Sequence, residues 1–116
     1  MNNKGDCFAA AGREMIHAEP ETKIKLVHAM VQHPLPPKNS FLHGFNIIDD
    51  TVIDTSNDDY VMMDKDEYFE TFNIKQIEGM YVEYDMWETL IKLARTGHFG
   101  PWDLKKEAYE LALLFE

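Results

Sequence analysis

The sequence predicts an α+β domain in which an antiparallel β-sheet is combined with an N-terminal helix and C-terminal helices. Helical periodicity occurs at both ends of the chain, and β-rich runs occur between them. Two of these runs, within residues 41–55, flank the turn-like pair Asp49–Asp50 and predict a β-hairpin. The expected order is helix, strand, hairpin, helix, strand, helix, helix, all within a single domain spanning residues 1–116.

The first helix is expected over residues 7–18. Its apolar face comprises Phe8, Ala11, Met15 and Ala18. Asp6 is a suitable N-cap, and Pro20 follows the expected end of the helix. These signals place Cys7 at or next to the first helical position.

The strand that follows, over residues 23–33, is apolar on both faces, which is typical of a strand covered on both sides. Three prolines within 34–40 predict a loop before the hairpin. If Asp49–Asp50 is a two-residue turn, His43 and Asp54 lie on the same face as diagonal neighbours, with Cβ atoms about 7 Å apart. A three-residue turn would place them on opposite faces.

Capping signals define the remaining elements, which are a helix over 64–72, a strand over 79–84 and a helix over 85–95. Both helices begin at an aspartate with a glutamate three residues later, the spacing of a capping box. Gly97 suits the end of the second of these helices. Pro101 suits the first turn of a last helix, with Leu104, Ala108, Leu111 and Ala112 on one face.

Composition limits the classes of function. A chain of 116 residues with one cysteine forms no intramolecular disulfide and no cysteine-based zinc site. Its net charge of −10 disfavours binding to nucleic acid and to anionic membranes. No apolar stretch approaches the roughly 20 residues needed to cross a bilayer, and no signal-peptide pattern opens the chain. We therefore expect a cytoplasmic protein without a metal or organic cofactor.

A cysteine, a histidine and an aspartate, at positions 7, 43 and 54, together suggest nucleophilic catalysis. A thiol at a helix N-terminus, such as Cys7, feels the positive end of the helix dipole, which favours the thiolate. His43 could take the thiol proton, and Asp54 could fix the tautomer of the imidazole. Structural explanations compete with each role: a buried apolar cysteine, a core histidine bonded to backbone, and an aspartate that caps a turn at the strand end.

Four short stretches resemble a family of small bacterial and phage-encoded proteins with a papain-like or transglutaminase-like cysteine core. These stretches are Gly5-Asp6-Cys7-Phe8, Leu26-Val27-His28-Ala29, His43-Gly44-Phe45 and Val52-Ile53-Asp54-Thr55. The resemblance covers about the first half of the chain. The sequence departs from the family pattern at four positions, none of them a reactive group. These are Ala29, Gly44, Phe45 and Thr55, where the pattern has Gly, Ala, Trp and Pro.

The resemblance implies a thiol hydrolase or acyl-transfer enzyme acting on a peptide or another amide. Cys7 would be the nucleophile, His43 the base and Asp54 its orienting partner. Asn2 and Asn3 are candidates for the side-chain member of an oxyanion hole, because they closely precede the nucleophile. Two alternatives remain: a catalytically inactive acidic protein that binds a basic protein partner, and a structural domain in which the thiol is simply buried.

Overall fold

The computed structural model describes residues 7–19, 22–55, 60–105 and 110. In these ranges the helices are α1 (Cys7–Ile16), α2 (Lys65–Thr71) and α3 (Met86–Thr96). The strands are β1 (Ile24–Gln32), β2 (Ser40–Ile48), β3 (Thr51–Asp54), β4 (Val61–Asp64) and β5 (Tyr81–Tyr84). They form one antiparallel sheet in the order β4-β3-β2-β1-β5. The α+β class and the antiparallel sheet are confirmed.

Strand β1 lies inside the sheet and is buried on both faces, as its apolar pattern predicted. Alternate residues of a strand point to opposite faces, so β1 contributes to two cores. The α2-side core contains Val27, Ala29, Val31, Phe45, Ile47, Val52, Tyr68 and Ile74. The α1-side core contains Ala11, Met15, Ile24, Leu26 and Tyr84. The sheet therefore separates the part of α1 that contains Ala11 and Met15 from α2.

The β2–β3 hairpin has the predicted two-residue turn. Its register pairs Ile48 with Thr51, which leaves only Asp49 and Asp50 between the strands. Asp49 adopts a φ of 55°, a left-handed conformation that aspartate tolerates better than most residues do. The turn length fixes which side chains of β2 and β3 share a face.

Asp64 and Asp85 cap the starts of α2 and α3, as the sequence predicted. The Asp64 carboxylate accepts hydrogen bonds from the backbone N–H groups of Asp66 and Glu67. Asp85 and Glu88 form a reciprocal capping box at the start of α3. Helix α3 ends at Gly97, whose φ is 75°.

Strand β4 was not predicted from the sequence. Its side chains are largely exposed, so residues 61–64 lack the alternation that signals a half-buried strand. The strand forms because its backbone pairs with β3, with Met63 opposite Val52.

Helix α1 stops at Ile16, two residues before the predicted end.

The prediction of a helix that begins at Pro101 is wrong for residues 101–105, which have no regular secondary structure. Contacts to other elements hold this segment instead. The Trp102 indole donates to the His98 carbonyl, Asp103 accepts from the Tyr84 hydroxyl, and the Lys105 N–H donates to the Gly79 carbonyl. Except for residue 110, the remainder of the predicted helix lies outside the described residues, as do Asp6 and Pro20.

Candidate active site

Cys7 is the first residue of α1, as the sequence predicted, and its thiol lies close enough to the imidazole of His43 to raise the pKa of that ring. Only 8% of the residue is exposed. Burial is what a purely structural cysteine would show. The contact with a histidine side chain is the feature that distinguishes this thiol from such a residue.

Two residues of β2 hold α1 against the sheet. A Cβ at Gly44 would lie 3.2 Å from the Cα of Phe8 and 3.4 Å from the carbonyl oxygen of Cys7. The absence of a side chain at Gly44 therefore allows the first turn of α1 to approach the strand closely. Two residues further on, the buried Asn46 side chain donates to the Ala11 carbonyl over 3.0 Å. The thiol and the imidazole meet because these contacts fix the helix beside His43.

His43 and Asp54 form a direct side-chain contact across the hairpin. Nε2 of His43 lies 2.9 Å from Oδ2 of Asp54, and the two side chains are only 11% and 14% exposed. A carboxylate accepts and does not donate, so Nε2 carries the hydrogen in this bond. The other ring nitrogen, Nδ1, is then left for the thiol of Cys7.

Tyr68 is a further member of this cluster that the sequence analysis did not identify. Its hydroxyl donates to the same Oδ2 atom of Asp54 over 2.8 Å, and the residue is 2% exposed. The available signal was a tyrosine on the apolar face of the predicted helix over 64–72, because a buried hydroxyl usually has a hydrogen-bond partner. The sequence did not indicate which partner.

The charges around His43 favour its protonated form. Burial by itself lowers the pKa of the imidazole. The hydrogen bonds to Asp54 and Cys7, together with attraction to both groups, outweigh burial and raise the pKa to about 9. At neutral pH this environment supports an imidazolium between two acidic groups.

Phe41 and Phe45 flank His43 along β2. The Phe45 ring is completely buried, whereas Phe41 is 37% exposed. The Phe41 ring packs edge-on against the imidazole, with centroids 5.8 Å apart. An open depression of about 320 Å³ adjoins Phe41, and its other lining residues are His33, Pro36, Pro37 and Asn39. This mainly apolar depression is linked to the histidine through Phe41, which lines the depression and contacts the imidazole.

The chain matches no protein-family model, no curated protein and no solved structure. Function is therefore inferred from the geometry of the site.

Asn2 and Asn3, the predicted oxyanion candidates, lie outside the described residues. In the part of the chain that the structure describes, no group of three or more His, Cys, Asp or Glu side chains is placed to hold a metal ion. No helix in that part is long and apolar enough to span a bilayer.

His28 lies on the opposite face of the sheet from His43, because β1 pairs His28 with Gly44 and Ala29 with His43. It is fully buried among the rings of Phe8, Tyr84 and Trp102. Neither ring nitrogen has a hydrogen-bond partner among the described residues. Burial lowers the pKa of His28 to about 4, against a smaller opposing effect of Asp103. His28 is thus a neutral core residue separate from the candidate site.

Proposed function

We propose that this protein is a thiol hydrolase or acyl-transfer enzyme that acts on a peptide-like or other amide substrate. The observation that carries this proposal is the position of the His43 imidazole, which lies beside the Cys7 thiol and hydrogen-bonds to Asp54. A nucleophile, a base and a group that orients the base are the three parts that covalent catalysis by a thiol requires.

In the proposed resting state, the thiol proton has already passed to Nδ1 of His43, as the raised pKa of this imidazole favours, and the Cys7 thiolate attacks the carbonyl carbon of the substrate. A C–S bond forms, and the carbonyl oxygen becomes an oxyanion. His43 then gives its proton to the leaving nitrogen as the C–N bond breaks, which leaves a thioester on Cys7. Water or an acceptor amine, deprotonated by His43, attacks the thioester and releases the free thiol. Throughout, Asp54 stabilises the imidazolium and keeps Nε2 protonated.

The start of α1 supplies the proposed stabilisation of the oxyanion. The first backbone N–H groups of an α-helix have no partner within the helix, and they point toward its N-terminal end, where Cys7 lies. Asn2 and Asn3 remain proposed contributors, because they precede this turn by only four or five residues in the sequence. The order of a helix with cysteine, a strand with histidine and a strand with aspartate supports a papain-like or transglutaminase-like core.

The depression beside Phe41 supports a substrate with an apolar group near the scissile bond. Phe41, Pro36 and Pro37 offer apolar surface to such a group, and Phe41 also contacts His43. The net charge of −10 favours cationic over anionic substrates by long-range attraction.

The test is the rate of iodoacetamide labelling of the protein from pH 5 to 9. The chain has one cysteine, so alkylation of a thiol reports on Cys7 alone. We expect the folded protein to react faster below pH 7 than the same chain unfolded in urea, whose thiol should titrate near 8.5. The His43→Gln variant should lose this advantage. Labelling of the folded wild type that follows the curve of the unfolded chain would contradict the proposal.

The second candidate function is an acidic binding protein without turnover, which the net charge of −10 favours. Such a protein would bind a basic partner through its surface charge. The Cys7→Ala variant separates the two functions. If that variant retains a partner and the full biological effect of the wild type, the binding function is supported and catalysis is not.

A further inference from the structure

Asp54 receives two hydrogen bonds on a single oxygen atom. Oδ2 lies 2.9 Å from Nε2 of His43 and 2.8 Å from the hydroxyl of Tyr68. The two donors come from different elements, β2 and α2, and the acceptor is the last residue of β3. The oxygen that contacts the histidine is therefore also tied to a helix on the same face of the sheet.

The phenol of Tyr68 is held rigidly enough to fix this oxygen. Its ring packs against Phe45 and Phe72, with centroid distances of 5.0 and 4.7 Å, and the residue is 2% exposed. Phe45 also stacks on His43 at 6.2 Å. Tyr68 and His43, which both donate to Asp54, therefore contact the same aromatic ring. Core packing sets their relative position.

We propose that Tyr68 is a positioning residue, whose hydroxyl holds the Asp54 carboxylate in the orientation in which Oδ2 reaches Nε2 of His43. Asp54 ends its strand and keeps 14% of its side chain exposed, and the hydrogen bond from Tyr68 is a restraint on its carboxylate from the buried side. The inference deepens the proposed function and rests on it, since it assigns a role within the same site.

The hydroxyl of Tyr68 acts only as a donor. Burial, followed by the charge and the hydrogen bond of Asp54, raises the pKa of Tyr68 well above its ordinary value of 10. The proton therefore stays on the phenol at every pH at which the site would work. Among the described residues, the titratable groups that act directly on His43 are Cys7 from α1 and Asp54 from β3, and Tyr68 acts on His43 through Asp54.

The Tyr68→Phe variant removes the hydroxyl and keeps the ring. We expect the pKa of His43, followed by NMR titration of its ring signals, to fall by about one unit toward 6.5 as Asp54 loses its fixed orientation. Labelling of Cys7 by iodoacetamide at pH 6 should slow several-fold. The matched control is Tyr84→Phe, which removes a buried hydroxyl donating to Asp103 over 2.6 Å on the α1 side of the sheet. This control should leave the titration of His43 unchanged.

An unchanged pKa of His43 in folded Tyr68→Phe would overturn the assignment of Tyr68. If wild-type Cys7 reacts as an ordinary thiol, the proposed function fails, and the titration of His43 still decides whether Tyr68 positions Asp54. If Tyr68→Phe does not fold, hydroxyl exchange in the wild type decides the question. The Tyr68 hydroxyl proton should exchange far more slowly than that of Tyr60, which is 60% exposed. Equal exchange rates would overturn the proposal.

Discussion

Nε2 of His43 lies 2.9 Å from Oδ2 of Asp54, although the two residues lie on different strands and are separated by ten others. The contact depends on the two-residue turn at Asp49–Asp50, which places both side chains on the α2 side of the sheet. One additional residue in the turn would put Asp54 on the opposite face. The register of the hairpin is therefore part of the site.

Replacing the carboxylate with an amide should uncouple His43 from Cys7. In Asp54→Asn, the side chain can donate to Nε2, which favours the wrong tautomer of the imidazole. We expect the pKa of His43 to fall from about 9, and amide hydrolysis to slow by about 10²-fold or more. NMR titration and steady-state rates measure the two effects. Asp103→Asn is the control, because Asp103 pairs with Lys92 and Tyr84 instead. Equal His43 titrations in wild type and Asp54→Asn would contradict this expectation.

Adding one methyl group to β2 should disturb the nucleophile. In Gly44→Ala, the new Cβ would lie 3.1 Å from Cδ1 and 3.2 Å from Cα of Phe8. The backbone of α1 must shift, which we expect to destabilise the protein by about 1–2 kcal/mol and to weaken the contact between Cys7 and His43. Urea denaturation and labelling of Cys7 test these effects.

Gly97→Ala provides the control for the Gly44 prediction. A Cβ at Gly97 would contact nothing within 4 Å, but its φ of 75° disfavours any side chain. We expect a loss of about 1 kcal/mol from backbone strain and no change in the labelling of Cys7. Equal effects of the two variants on labelling would show that Gly44 has no special role at the site.

The attraction between His43 and its acidic neighbours should stabilise the folded protein less at alkaline pH. The pKa of His43 is about 9 in the folded protein and about 6.5 in the unfolded chain. The resulting stabilisation is present in full below about pH 6.5 and is lost as the pH rises through 9. Urea unfolding of wild type and His43→Gln at pH 7 and pH 10 checks this. The difference in stability between the two proteins should shrink at pH 10, and a constant difference would refute the linkage.

His28, in contrast, should lower the stability of the folded protein as the pH falls into the acid range. Its pKa is about 4 in the folded protein, below the unfolded value of 6.5, so its contribution is complete above about pH 6.5 and declines as the pH falls through 4. The difference between the folded and unfolded pKa values of His28 corresponds to a loss of about 3 kcal/mol in the free energy of unfolding at low pH. In His28→Leu this acid sensitivity should disappear, whereas the exposed His17→Gln should retain it. Parallel stability curves for wild type and His28→Leu between pH 7 and 4 would disprove the prediction.

The depression beside Phe41 should select apolar reagents. The quantity measured is the rate of Cys7 labelling by N-benzyl iodoacetamide divided by the rate with iodoacetamide. We expect this ratio to be higher in the wild type than in Phe41→Ala. The reason is that the benzyl group can pack against Phe41 and Pro36. Leu35→Ala is the control, because Leu35 is exposed in the same loop but does not line the depression. A rate ratio that is the same in all three proteins would exclude this depression as a binding surface.

Much of the local structure could be predicted because its signals are short-range. The capping box of Asp85 and Glu88 and the turn at Asp49–Asp50 each depend on adjacent residues. Strand β4 could not be predicted, because its exposed side chains carry no pattern and only its pairing with β3 makes it a strand. The segment after Pro101 was predicted incorrectly because its contacts with distant residues outweigh its helical pattern.

The sequence by itself determined the α+β class and the helical position of Cys7, since each follows from local periodicity and capping signals, and it placed His43 and Asp54 on one face only on the condition that the turn at Asp49–Asp50 has two residues. Only the tertiary structure decided that the thiol reaches the imidazole, that His28 is isolated on the other side of the sheet, and that Tyr68 donates to Asp54. These relationships depend on how α1 and α2 pack against opposite faces of the sheet. Packing of this kind joins residues that are far apart in the chain, and no local pattern encodes it.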